Sequence, residues 1–362
     1  MSNVKQHHES AFHISKRDDM PMIKAWAVRL TSIIVALIVC SAVIVLLSKQ
    51  NPLKVFGVMF EGSFGTTRRI LKLSQNVAML LCISLAVTPA FKMKFWNIGA
   101  EGQTLVGCLV SAIMMLYFGQ TMPLWILLPL MLIVSILAGV IWGIIPAFFK
   151  ANFGTNETLF TLMMNYVATQ VVSVFIAVKV KSGSQVMGVI QGGWMPKLFG
   201  KDYIINIIIV LLLTVGMYIY FKYSKHGYEI SVVGESENTA RYIGINVKKV
   251  IMRTMALSGG LCGVAGFLLV AGEHHTVATD TVGGMGFTAI MVSWLAKFNP
   301  VVMMLVSFLI AFMESGAGEI ATQCGLNQSI ADILTGIIIF FIIGSEFFVQ
   351  YKISFRQKHK EA

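Results

Sequence analysis

The sequence predicts an all-α, polytopic membrane protein of about ten transmembrane helices, and three observations carry that prediction. The 362 residues are 56% hydrophobic and 12% charged, with a mean hydropathy of +0.76. A water-facing globular surface needs roughly 25% charged residues. Several apolar runs reach roughly the 20 residues that span a bilayer, and the short alternating segments of a transmembrane β-barrel are absent.

The elements follow in order. Residues 1–25, with "HHES" and "SKRDD", are polar, lack a signal-peptide pattern and read as a cytosolic tail. A transmembrane domain over 26–350 then holds spans at 27–47, 74–91, 97–118, 123–149, 157–178, 203–221, 252–271, 285–298, 300–318 and 329–350, and 351–362 forms a second cytosolic tail. An even number of crossings returns both termini to one side. Roughly two-thirds of the Lys and Arg residues then fall on the N-terminal side, which supports a cytosolic N-terminus. The net charge of +11 is scattered through loops and tails, so it points to an anionic membrane surface and membrane lipids, not to nucleic acid. The segment 49–72 suits an interfacial amphipathic helix. Residues 179–203 are too polar to cross and read as an external loop, and the largest inside loop is 223–249. The cysteines (Cys40, Cys82, Cys108, Cys262, Cys324) stand singly without a CxxC pair, so they read as small core residues, not as zinc ligands or disulfides.

Three polar constellations interrupt the apolar pattern. In "FWNIGAEGQTL" (95–105), Asn97, Glu101 and Gln103 are threaded by Gly99 and Gly102, which favours a broken start to the span. Asn97 and Glu101 share a face if the segment is helical. A carboxylate at membrane depth is paired or faces a water-filled path, but Glu101 equally suits an interfacial helix N-terminus. In "GTNETLFTLMMNYVATQ" (154–170), Glu157, Thr161, Asn165 and Thr169 recur every fourth residue as one stripe, with Asn156 or Thr155 as the cap. Such a stripe faces protein or water, and helix–helix hydrogen bonding explains it as readily as a solute path does. The third, "GLNQSIADIL" (325–334), echoes "GTNETLFTLM", each preceded by a Pro-initiated span, and the two entering spans run oppositely. That pattern is the signature of an inverted repeat. In "SGGLCGVAGFLLVAG", Gly259 and Gly263 form a GxxxG suited to close helix packing, and "GGMGF" follows at 283–287.

Several chemistries find no motif. There is no GxxxxGK[ST] phosphate loop, no HExxH and no GxSxG. His274 and His275 adjoin in an external loop where solvation is the simpler reading, so an enzyme is not expected.

Taken in order, "FWNIGAEGQ", "GTNETLFTLMMNY", "ARYIGINVKKV" with "LSGGLCGVAG", and "GGMGFTAIMVSWLAKFNP" resemble the permease subunits of bacterial ABC importers for nucleosides, within the branch that includes ribose-type simple-sugar permeases. The likeness runs from about residue 50 to 350. It departs at Thr288, where relatives often carry an acidic residue, and at the "FW" before "NIGAEGQ". The resemblance implies a multi-pass inner-membrane subunit of a bacterial cell that pairs with a second permease, the same chain or another. It further implies two ATPase subunits that bind ATP and Mg, no cofactor in this chain, and an external lipid-anchored binding protein that delivers the nucleoside. It also makes "GESENTARYIGI" (234–245) the coupling helix, with Glu235 and Glu237 near its start, Arg241 and Tyr242 later and Gly244 at its end. Asn97, Glu101, Gln103, Glu157, Thr161 and Asn165 then stand as candidate pathway residues. The competing expectations are a simple-sugar or riboflavin-like substrate, and an ion-coupled secondary transporter using Glu101, Glu157 and Glu314.

Overall fold

The computed structural model describes residues 12–17, 20–49, 51–180, 187–323 and 328–355. Its elements in chain order are β1 (Phe12–Lys16), α1 (Met22–Ser48), α2 (Pro52–Phe64), α3 (Thr67–Lys92), α4 (Ala100–Phe118), α5 (Leu124–Phe153) and α6 (Glu157–Lys179). There follow α7 (Ile204–Tyr223), α8 (Lys225–Glu235), α9 (Glu237–Tyr242), α10 (Val247–Leu269), a π-turn (Val270–His274), α11 (Met285–Leu295), α12 (Pro300–Gln323), α13 (Gln328–Gln350) and β2 (Tyr351–Phe355). Among the described residues, eight helices are long and apolar enough to cross a membrane; the apolar helices Met285–Leu295 and Ile333–Val349 are shorter. The protein is thus an all-α polytopic membrane protein. Cys324, residues 325–327 of the second polar echo, and much of both tails lie outside the described residues.

The chain divides into two compact units. The first joins the residues up to 63 with those from 313 onward. Within it α1 lies along α13, with the buried Cys40 Sγ 3.7 Å from the Leu334 carbonyl. β1 pairs antiparallel with β2, Phe12 opposite Phe355 and Lys16 opposite Tyr351. The described segments nearest the two ends of the chain therefore lie side by side.

The second unit, 64–312, is built around α10, which packs against α3, α4 and α5. The GxxxG expected to allow close packing does so. A Cβ on Gly259 would lie 2.2 Å from the Gly139 carbonyl oxygen of α5, and one on Gly263 2.2 Å from that of Ser135. Gly143 meets Met255 at the other end of the contact, so α5 runs antiparallel to α10. Gly266 abuts Thr104 and Cys108, and Asn97 reaches Ser258, so α4 runs parallel to α10. These directions agree with alternate crossings. α11 runs beside α3, where the Thr88 and Ser293 hydroxyls are 2.9 Å apart.

The two ends of this unit differ. At one, the non-helical segment 187–203 straps the end of α10: Ile190 N–H donates to the His275 carbonyl at 2.9 Å, and Met195 N–H to that of Ala271 at 2.8 Å. At the other, α8 and α9 close over a cluster of Ala90, Met93, Phe95, Ala147, Ile230, Val233, Ala240 and Val250.

Candidate functional site

The opening polar motif begins where α3 stops. Lys94 takes a left-handed φ of 61°, Phe95 N–H returns to the Ala90 carbonyl at 2.9 Å and Lys94 N–H to that of Phe91 at 2.9 Å. These bonds close the helix in a Schellman-type turn. The chain then runs non-helically through Asn97 and Ile98 before α4 starts at Ala100. A helix that starts inside a bundle strands its first backbone donors away from water, and in lipid surroundings each must be met by protein.

The side chains of the motif and of the α6 stripe meet that need. Asn97 Oδ1 accepts from Gly99 N–H at 3.1 Å and from Gln103 Nε2 at 3.2 Å, while Asn97 Nδ2 donates to Gln103 Oε1 at 3.3 Å and Ser258 Oγ at 3.2 Å. From α6, Thr161 Oγ1 accepts from Ile98 N–H at 3.2 Å. Asn165 bridges the break, accepting from Gly102 N–H and donating to the Ile98 carbonyl, both at 2.9 Å. Asn97, Gln103 and Thr161 are fully buried.

Glu101 points elsewhere. Its two carboxylate oxygens accept from Gly284 N–H at 2.8 Å and Gly286 N–H at 2.7 Å, at the N-terminus of α11. A carboxylate in that position meets both orphan donors and the positive end of the helix dipole. Gly286 cannot carry a side chain here, because a Cβ would lie 2.5 Å from Glu101 N. At 11 residues, α11 is roughly 16 Å long. It is therefore a half-helix, about half the ~30 Å hydrocarbon thickness. Its far end carries Trp294, stacked on Trp96 with ring centroids 5.9 Å apart; Lys94 and Lys297 adjoin, the Trp and Lys pairing typical of a membrane interface.

Five of the six predicted residues thus come together as one hub joining α4 to α6, α10 and α11. The sixth, Glu157, stands apart in an ion pair with Lys150 at 2.7 Å. The fourth stripe residue, Thr169, bonds the Asn165 carbonyl of its own helix at 3.0 Å. Ser258 and the N–H groups of Gly284 and Gly286 are partners that no sequence motif marked, although the glycines themselves stood out.

The expected coupling segment is in two pieces. Gly234 and Glu235 finish α8; Ser236 breaks the helix and caps α9 by accepting from Thr239 N–H at 3.2 Å. Glu237 and Arg241 pair across one turn at 3.4 Å. Gly244 follows with φ +82°, and Tyr242 is 92% exposed. Ala240 alone of α9 is buried, in the cluster with Phe95. Gly234 packs so closely on the end of α3 that a Cβ would lie 2.2 Å from the Lys92 carbonyl oxygen. Among the described residues no group of His, Cys, Asp and Glu has the makings of a metal site.

Comparison with known proteins agrees with this architecture. Residues 69–343 match the family model for the branched-chain amino acid transport system permease component. The chain is similar to a guanosine ABC transporter permease of Bacillus subtilis, 30% identical over 84% of this chain and 89% of that one. A nucleoside ABC transporter permease of Lactococcus lactis is 27% identical over 83% and 86%. A glucose ABC transporter permease of Haloferax volcanii is 25% identical over 94% and 93%. With its helical bundle, half-helix and these matches, the chain belongs to the ABC transporter permease family, multi-pass membrane components of transport systems and not enzymes.

Proposed function

We propose that this chain forms the translocation pathway of a nucleoside importer in a bacterial plasma membrane. The observation that carries the substrate class is the 30% identity to a guanosine permease over 84% of the chain. In this reading the α8–α9 end faces the cytosol, where Lys222, Lys225, Arg241, Lys248, Lys249 and Arg253 gather as the positive-inside rule favours. The segment 187–203 faces outside, toward an external binding protein. A second permease subunit and ATPase subunits that bind ATP and Mg complete the machine. α9, with Glu235, Glu237, Arg241, Tyr242 and Gly244 in or beside it, docks on the ATPase as a short exposed helix seated in a groove.

Asn97, Glu101, Gln103, Thr161 and Asn165 frame the pathway in this proposal. Their hydrogen-bonding capacity goes to protein groups, so they hold the helix break and the half-helix in place, and Glu157 braces the α5–α6 turn against Lys150. Solute then meets a passage with few strong polar contacts, which allows it to leave as well as enter.

The test is uptake of labelled guanosine, ribose and glucose by cells carrying the intact transporter, with and without its ATPase. The expected result is ATPase-dependent guanosine uptake that unlabelled nucleosides, not sugars, compete away. ATPase-dependent uptake of a sugar alone would reassign the substrate, and uptake that persists without the ATPase would remove the ABC mechanism.

A further inference from the structure

At the end of α10 remote from α8 and α9, a cavity of about 250 Å³ lies among α7, the π-turn and the segment 187–203. Its wall combines Trp194, Tyr203, Asn206, Gly272, Glu273 and His275. Asn206 sits in an Ile-rich stretch of α7 and is fully buried. Its Nδ2 donates to the Leu268 carbonyl at 3.3 Å, which fixes the amide orientation and leaves Oδ1 without a hydrogen-bond partner among the described residues. Gly272 makes room for it: a Cβ there would lie 2.4 Å from that same Oδ1. His275 Nδ1 is the second buried atom on this wall without a partner among the described residues. The His275 ring lies flat on Trp194, with centroids 4.3 Å apart and planes 10° from parallel, while Trp194 Nε1 is committed to the Ile190 carbonyl at 2.7 Å.

The charges around the cavity are already matched. Glu273 is held by Lys72 and by Gln75 Nε2 at 2.8 Å, and Asp202 by Lys197 at 3.0 Å. Burial lowers the pKa of His275 against the opposing Val270 backbone, so its ring is neutral near pH 7, and in the Nε2–H tautomer Nδ1 accepts. The unmet demand is therefore for neutral hydrogen-bond donors beside an aromatic wall. A buried acceptor left without a donor costs about 1–3 kcal/mol. The volume equals roughly eight waters' share of liquid, and falls below the roughly 300 Å³ at which drug-sized pockets begin. A five- or six-membered sugar ring fits it; a whole nucleoside would leave its base outside.

We propose that this cavity is a receiving site for the hydroxylated ring of a neutral sugar, either the pentose of a nucleoside or a free sugar. Asn206 Oδ1 and His275 Nδ1 accept from its hydroxyls, and Trp194 and Tyr203 wall its carbon faces. The assignment of this end to the outside rests on the proposed function; the chemistry of the cavity does not.

Saturation-transfer NMR on the purified full chain in lipid nanodiscs tests it, with guanosine and D-ribose as probes. Transfer is expected onto sugar-ring protons, and to fall about fivefold, one hydrogen bond's worth, in His275→Phe, which keeps the ring stack. Asn206→Leu should behave alike, and if it fails to fold His275→Phe decides alone. Transfer from guanosine only assigns the nucleoside; equal transfer from ribose assigns the sugar ring itself. No transfer in the native protein, or no loss in His275→Phe, overturns the site. Failure of guanosine uptake with transfer intact would remove the proposed substrate and leave the site standing.

Discussion

Replacing Asn165 with leucine isolates the contribution of the helix break to stability. The side chain is 7% exposed and spans the break with two bonds of 2.9 Å, one from Gly102 N–H and one to the Ile98 carbonyl. Leucine has the same branched arrangement of heavy atoms but is bulkier and offers neither group. Side-chain hydrogen bonds between membrane helices average about 0.6 kcal/mol and reach about 1.7 kcal/mol. Two average bonds alone therefore set a floor near 1 kcal/mol. Leaving a buried donor and a buried acceptor unmet costs about 1–3 kcal/mol each, which sets a ceiling near 6 kcal/mol. There is little room to relax, because a Cβ on Gly102 would already lie 2.9 Å from Asn165 Cα. We expect a loss of about 3 kcal/mol. Thr161→Val removes one of the two acceptors of Ile98 N–H, which also meets the Trp96 carbonyl at 3.1 Å, and should cost about 1 kcal/mol. The double variant should cost less than the sum, since both side chains hold one linker. Equilibrium unfolding in mixed micelles, followed by tryptophan fluorescence, measures all three. An Asn165→Leu protein within about 0.5 kcal/mol of the native chain would refute the reasoning, because surface-like substitutions stay within that range.

Other perturbations probe neighbouring features. Glu101→Gln keeps one acceptor for the α11 donors but loses the charge, and should destabilise by about 2 kcal/mol in the same unfolding assay. Gly234→Ala drives a methyl to 2.2 Å from the Lys92 carbonyl oxygen; the expected outcome is a protein still helical by circular dichroism in which hydrolysis by the proposed ATPase subunits no longer drives uptake. Arg241→Glu with Gly244→Leu removes the α9 ion pair and its left-handed terminus, and should likewise uncouple hydrolysis from uptake without unfolding the bundle. His226, bonded to the Tyr220 hydroxyl, is held below the ordinary histidine pKa by burial, with Glu229 opposing and Arg253 adding to the effect. The folded state then binds fewer protons than the unfolded one, so this stability is full above about pH 6.5 and is lost as pH falls below it. Melting temperature measured from pH 7.5 down to 5.5 should drop, and His226→Gln should flatten that drop.

Long apolar runs made most spans legible, and their failures are local. α3 begins at Thr67, ahead of the apolar run at 74, because Thr66 caps it by accepting from Arg69 N–H at 3.3 Å. Arg68, Arg69 and Lys72 assigned that turn to the segment 49–72, read as suited to an interfacial amphipathic helix. The coupling segment read as one helix, but Ser236 is a better N-cap than interior residue and divides it. β1 and β2 are too short to signal themselves, and each supplies the other's partner from the opposite end of the chain. In the hub the polar residue types were legible and their partners were not. Backbone N–H groups such as those of Gly284 and Gly286 have no sequence signature, and Ser258 is an ordinary small residue in a glycine-rich run. Asn206 escaped notice because one amide among isoleucines has no spacing to measure.

The same contacts define a mechanical route under the proposed coupling. α9 buries only Ala240, so a push on its exposed Tyr242 and Arg241 reaches the bundle through the small cluster that also holds Met93 and Phe95. α8 meets the Lys92 carbonyl at Gly234 with no side chain between them to absorb a shift. Lys92, Met93 and Phe95 lead directly into the hub, where α4 is bonded to α6 through Asn165 and to α11 through Glu101. Close-packed interiors transmit displacement because they cannot compress. α11 ends inside the bundle, so its N-terminus follows Glu101 through two hydrogen bonds and needs no second crossing to move. A displacement entering at α9 would therefore reach the N-terminus of α11 through the Glu101 carboxylate. Substituting Glu101, far from α9 in sequence, should accordingly weaken coupling as well as stability.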